Sequence, residues 1–141
     1  MPHKFLTQPH TAPDSKLCAF YALYHFTDGQ VSRQAFIDAA TNHYMTSLGM
    51  NKTDAQAMVM DGNDPSVLSL YHLRQTDEKT LQTAGVGIIA NVATGHFFTV
   101  RQEGGAWVSY DSYNHQAPVS YASFAALKQA EIANGAQIWT A

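Results

Sequence analysis

The apolar residues of this chain change their spacing once, and that change constrains the fold more than any other feature. From Ser15 to Leu73 they recur at helical intervals; from Val86 to Thr140 they mostly run together or alternate. A period near 3.6 buries one face of a helix, and a period near two buries one face of a strand. Helices that come first and strands that follow predict an α+β domain, with N-terminal helices packed on a small antiparallel sheet.

The segments are as follows. Ser15 opens a helical stretch that runs to Phe26, with Leu17, Cys18, Phe20, Tyr21 and Tyr24 on one side, and Asp28-Gly29 stops it. Ser32 is an N-cap for a helix over Val31–Leu48, and Gly49 is its C-cap. Residues 53–60 fit a short helix through Ala55, Met58 and Val59. Asp64-Pro65 then reads as an N-cap followed by the first residue of an apolar helix reaching Leu73. Val86–Ala93, His96–Gln102 and Ala106–Tyr110 predict strands, the last two joined by a hairpin at Glu103-Gly104-Gly105. A loop over 111–119, a helix over Ser120–Ala133 and a strand over Gln137–Thr140 complete the chain.

With 141 residues and no linker or repeat, residues 1–141 are expected to form a single domain, in which 1–14 are a polar, proline-containing arm. One cysteine excludes an internal disulfide and a Cys-rich zinc module. Eight scattered Lys and Arg against eleven Asp and Glu argue against nucleic-acid or anionic-membrane partners. No apolar run is long enough to span a membrane, and Met1–His10 lacks the apolar core of a cleavable signal. His25, His43 and His72 stand on predicted helices without paired ligand spacing, so no metal and no cofactor is expected. His3 and His10 fall in the arm, which is expected to be mobile.

Chemistry concentrates on three residues. Cys18 lies near the start of a helix, where free backbone N–H groups and the helix dipole favour a thiolate. A thiolate needs a base, and the base needs an orienting group. His96 opens one strand and Asp111 follows the end of the next, so the hairpin delivers an imidazole and a carboxylate to the same end of the sheet. Each residue alone also has a plain structural reading: a small core thiol, an incidental strand histidine, a turn aspartate. Their joint order favours the chemical reading. His115, in the loop after Asp111, is the alternative base. Gly104-Gly105 is read as a turn and not a phosphate cradle, since no helix follows it.

The segment GHFFTVRQEGGAWVSYDS resembles the histidine-bearing hairpin of the Josephin deubiquitinases, which are papain-like cysteine proteases. His96, Phe97, Phe98, Thr99, Val100, Arg101, Trp107, Asp111 and Ser112 match the family pattern in place, and the fifteen-residue step from His96 to Asp111 is also the family's. Ser15-Lys16-Leu17-Cys18-Ala19 resembles its Ser-Leu-Cys-Ala with one residue inserted, and the run SFAALKQAEIANGAQIWTA resembles its last helix and closing strand. Residues 30–85 match weakly. Asp111 replaces the more usual Asn. The family's oxyanion glutamine stands about five residues before the cysteine; Pro13 occupies that place, and the nearest glutamine is Gln8, ten residues ahead.

The resemblance implies a cysteine-dependent hydrolase. Cys18 is the nucleophile, His96 the base and then the acid, Asp111 the orienting group and Gln8 an oxyanion donor. Gly95, Trp107 and Tyr113 are expected to border the substrate groove, Gly95 by letting substrate backbone approach the imidazole. The implied substrate is a protein, ubiquitin or a ubiquitin-like one, cut at a peptide or isopeptide bond. The same residues would serve a glutamine deamidase or a transglutaminase-type effector, and a catalytically silent protein-binding module is the other alternative. The expected location is cytoplasmic, or a host cytoplasm for a bacterial effector.

Overall fold

A computed structural model describes residues 3–141. The chain is an α+β fold in which helices cover both faces of one six-stranded antiparallel sheet. Helix α1 spans Cys18–Phe26, α2 Arg33–Leu48 and α3 Lys52–Met60; a 3-10 segment, Pro65–Tyr71, follows. Then come β1 (Arg74–Thr76), α4 (Glu78–Ala84), β2 (Val86–Asn91), β3 (His96–Glu103), β4 (Ala106–Tyr110), β5 (Val119–Tyr121), α5 (Phe124–Glu131) and β6 (Gln137–Thr140). The strand order is β1-β6-β2-β3-β4-β5. No helix among the described residues is long and apolar enough to cross a membrane.

Strand alternation divides the core. Ile88, Ala90 and Phe97 point to the face covered by α1, α2, α3 and the 3-10 segment, where they meet Leu17, Phe20, Leu23, Phe36 and Leu68. Ile89, Phe98 and Val100 point to the opposite face and pack with Leu81 of α4 and Phe124 and Leu127 of α5. Because β2 and β3 are central, both of their faces are buried, which is why they read as continuous apolar runs.

Local chemistry sets most element ends. The Ser32 side chain accepts from Ala35 N at 3.2 Å, and Gly49 ends α2 in the left-handed region. Several expectations need correction. Helix α1 starts at Cys18 and not at Ser15; Ser15 lies in a turn closed by Leu17 N donating to Asp14 O at 3.1 Å. The segment after Asp64 winds as a 3-10 helix, as suits a seven-residue stretch whose Ser66 N is capped by Asp64 and whose Ser69 hydroxyl bonds back to Ser66 O. Residues 119–121 form an edge strand on β4, with Tyr121 opposite Trp107, and the helix behind them starts only after the Ser123 cap. The arm is not a free extension. His3 and Gln8 are 8% and 4% exposed, and Gln8 N donates to Ser112 O at 2.9 Å.

Candidate active site

Helix α1 packs on β3, and its first residue is Cys18. The helix's opening N–H groups have no intrahelical acceptors, so the backbone N–H of Cys18 has no partner within the helix. The polar groups of α1 are tied to β3: Thr99 Oγ1 donates to Ala22 O at 2.6 Å, and the Arg101 guanidinium donates to the carbonyls of His25 and Phe26. This registers Cys18 against the start of β3, where His96 lies opposite Asn91 of β2.

The three residues singled out in the sequence meet here. His96 Nε2 is 2.8 Å from Asp111 Oδ2, and the imidazole shares one cleft with the Cys18 sulfur, near enough for each to shift the other's protonation. Asp111 is 2% exposed and held from several sides. Its Oδ1 accepts from the backbone N–H groups of Tyr113 and Asn114 at 3.2 and 3.1 Å, and its Oδ2 accepts from the Asn114 side chain at 3.0 Å. Since the carboxylate only accepts, the proton on His96 Nε2 points to Asp111, which leaves Nδ1 as the ring nitrogen able to take a proton from Cys18.

Burial pushes the Cys18 thiol up, but hydrogen bonds from His96 and Gln8, with the charge of His96, outweigh it and bring the thiol below its ordinary value. Burial pushes His96 down; its bonds to Asp111 and Cys18 and their negative charges outweigh that and raise it to about 9. Burial raises Asp111, and the bond and charge of His96 bring it below the usual carboxylate range. All three shifts favour a thiolate–imidazolium pair over two neutral groups.

Gln8 reaches the same sulfur although it lies ten residues ahead in sequence. Its Nε2 donates to Ser15 O at 3.1 Å and lies 3.3 Å from Cys18 Sγ and from Asp14 O. One amide hydrogen is thus anchored on backbone while the other points at the reacting region.

A cavity of about 600 Å³ opens over the sulfur, lined by Lys16, Cys18, Asp61, Gly95, His96 and Tyr113 among others. A second, of about 570 Å³, continues on the other side of His96 between Asn63, Ser66, Gln75 and Trp139. Tyr113 therefore borders the cleft. Gly95 does too, but its glycine answers a backbone need: it closes the β2–β3 turn at φ +67°, and nothing lies within 4 Å of an added Cβ. Trp107 does not border the cleft. It is 5% exposed and packs edge-on to Phe124 at 5.2 Å in the core under α5. Its position on β4 turns it to that face, away from the groove.

Sequence reading missed Asn114, which braces Asp111 and lies 3.4 Å from His96 Nε2. The signal was its place three residues after Asp111, within reach of an Asx-type bond. His115 is turned away from the sulfur, toward Glu131 at 3.3 Å. One group of metal-ligand type exists among the described residues, Asp111, His115 and Glu131, with ligand atoms within 4.8 Å of one another. Its carboxylates are already engaged: Glu131 accepts from Ser109 and Tyr121, and Asp111 from His96 and Asn114.

No family model matches this chain, and no curated protein matches it.

Proposed function

We propose that the chain is a papain-like cysteine hydrolase that works by acyl transfer through Cys18. The observation that carries this reading is the convergence of Gln8 and His96 on one sulfur, with Asp111 behind the imidazole. A buried structural thiol needs none of these groups, and a polar set of this cost is retained where charge develops.

The Cys18 thiolate attacks a carbonyl carbon, forming a C–S bond as the carbonyl electron pair moves onto oxygen. Gln8 Nε2–H and the Cys18 N–H donate to that oxyanion. The oxyanion collapses, the C–N bond breaks, and the amine leaves with the proton of His96. His96, now neutral, takes a proton from water; the hydroxide attacks the thioester, and the sulfur leaves as thiolate while His96 stays protonated. Asp111 keeps the imidazole oriented and supports its charge in both halves.

The substrate class comes from the Josephin-like hairpin: ubiquitin or a ubiquitin-like protein, cut at a peptide or isopeptide bond. A ubiquitin bearing a C-terminal electrophile should capture the wild type covalently and leave Cys18→Ala unmodified. Mass spectrometry of ubiquitin incubated with the enzyme separates the chemistries: cleavage supports hydrolysis, a one-dalton gain indicates glutamine deamidation and a crosslink indicates transglutamination. If the probe is not captured and Cys18 is alkylated no faster than an ordinary thiol, the enzymatic reading fails and a protein-binding module takes its place.

A further inference from the structure

A chain of buried polar groups runs behind the site and takes no part in the reaction described above. His25 lies seven residues after Cys18, two turns along the same helix, so both side chains leave α1 on one side. His25 is 0% exposed, yet it touches the arm twice and reaches it a third time through Ser112. His3 Nε2 is 2.8 Å from His25 Nδ1. The Phe5 ring stacks on the imidazole at 4.9 Å. His25 Nε2 is 2.8 Å from Ser112 Oγ, and the carbonyl of Ser112 accepts from Gln8 N at 2.9 Å.

The direction of these bonds follows from one charge. Asp28 Oδ1 lies 3.2 Å from His3 Nδ1, off the line of a well-aligned hydrogen bond, and 3.0 Å from the Arg101 guanidinium. A carboxylate only accepts, so His3 carries its proton on Nδ1. Burial keeps both imidazoles below their ordinary value, and they are neutral. His3 Nε2 is then an acceptor, so His25 Nδ1 donates to it. His25 Nε2 is in turn an acceptor, so the Ser112 hydroxyl donates to that. One arrangement thus gives the hydrogen bonds from His3 to Ser112 a single direction, with Asp28 Oδ1 and His3 Nδ1 in a charge contact that is not a well-aligned hydrogen bond.

We infer that His25 is a positioning residue for the oxyanion site: it holds the arm at His3 and Phe5 and, through Ser112, at Gln8, so that the Gln8 amide reaches Cys18. Asp111 does not depend on it in the same way, because the N–H groups of Tyr113 and Asn114 and the side chain of Asn114 already hold its carboxylate. The exposed contact of His10 on Tyr113 adds a further tie to the arm, but on the far side of Gln8. This inference deepens the proposed acyl-transfer function and rests on it.

Two thiol reagents separate the parts. Iodoacetamide alkylates the thiolate by displacement and builds no oxyanion. p-Nitrophenyl acetate acetylates it: the C–S bond forms, the acyl C–O bond breaks, p-nitrophenolate leaves, and the carbonyl oxygen carries charge on the way. The ratio of acetylation to alkylation thus reads the oxyanion site alone. Gln8→Ala should lower that ratio by about 10²- to 10³-fold. His25→Ala should lower it by up to about 10²-fold, as misplacing a catalytic group does, with alkylation nearly unchanged. Gln8→Ala combined with His25→Ala should be no worse than Gln8→Ala alone, because the second change acts through the first. Ser112→Ala and His3→Leu test the same path should His25→Ala not fold by circular dichroism; each should lower the ratio by a smaller factor. The inference is overturned if folded His25→Ala, or the two substitutes in its place, leave the ratio at the wild-type value, or if the double variant loses the product of the single losses. If instead wild-type Cys18 reacts with both reagents no faster than an ordinary thiol, the acyl-transfer reading falls, and the positioning role falls with it.

Discussion

Two opposing influences act on the proton of Cys18, and their balance decides whether this residue is a nucleophile. Burial favours the neutral thiol; His96 and Gln8 favour the thiolate and prevail. The sign for His96 is the reverse. Its value is raised to about 9, so the imidazolium is present below that pH and is lost as pH rises through it. The ion pair therefore exists from the lowered Cys18 value up to about 9. Alkylation of wild-type Cys18 should remain fast at mildly acidic pH. In His96→Ala, where burial is opposed mainly by Gln8, it should become fast only at or above the ordinary thiol value of about 8.5. A His96→Ala profile that overlies the wild type would mean that His96 does not set the thiolate. Asp111→Asn keeps an acceptor but removes the charge. Its expected effect is to move the alkaline limb of kcat/KM below about 9, which a pH series on one substrate measures. Cys18, His96 and Asp111 were legible because a helix start and a hairpin put chemistry at fixed places in the chain. Gln8 was legible only through the resemblance, and its role depends on an arm whose path no periodicity encodes. His25 left no pattern, and Ser112 and Asn114 stood out only as neighbours of Asp111, since a buried polar network is written in three-dimensional neighbours and not in spacing. Trp107 was misplaced because hairpin membership does not say which face of the sheet a residue takes.

At the level of elements, the parts that carry the site were the readable ones. The β2–β3–β4 run is apolar on both faces, and its turns hold glycine at Gly95 and Gly104 with positive φ. Helix α2 declared itself through Ser32 and Gly49. Helix α4 did not, although Asp77 caps it and Gly85 ends it, because Leu81 is its single buried residue and a period needs more than one point. Strands β1 and β5 are three residues each, too short to alternate visibly, and they form by pairing with β6 and β4. The same α4 makes a sharp test of packing. A Cβ on Gly87 would stand 2.5 Å from Leu81 Cδ1 and 2.8 Å from the carbonyl oxygen of Trp139, so α4, β2 and β6 approach as closely as they do because residue 87 has no side chain. The leucine tip can turn aside, but the backbone of β6 cannot. Gly87→Ala should destabilise the protein by about 1–3 kcal/mol, the usual cost of overpacking. Urea denaturation followed by tryptophan fluorescence measures this. An unchanged midpoint would show that β6 yields.

Over the whole molecule, the site is where three separate stretches of chain are brought together: the arm, the start of α1 and the far end of the β3–β4 hairpin. The sheet brings His96 and Asp111 side by side, the α1–β3 contact brings Cys18 to them, and the arm closes the set with Gln8. Such a junction holds polar groups inside the fold, and that makes its stability depend on pH. His25 is the clearest contributor. Burial first, then the repulsion that would arise between protonated His25 and protonated His3, lower it from 6.5 to about 4; a bond from the Leu6 backbone opposes this and the charge of Arg101 adds to it. Asp28 acts on this group through His3. A lowered imidazole stays neutral in the fold while the unfolded chain takes up a proton. Between about 6.5 and 4 the unfolded state therefore binds more protons, and stability falls as pH falls. For a fully buried group that interval corresponds to on the order of 3 kcal/mol. His25→Phe keeps a ring against Phe5 and cannot titrate. Its unfolding free energy should lie below that of the wild type at pH 7, because Ser112 and His3 lose their partner. The gap should narrow toward pH 4, as the wild type surrenders the His25 contribution and the variant has none to surrender. Parallel urea curves at pH 7 and pH 4.5 read the difference directly. A gap that stays constant with pH would mean that His25 carries the same proton in both states, and that the neutral, directional chain from Asp28 to Ser112 does not hold the arm.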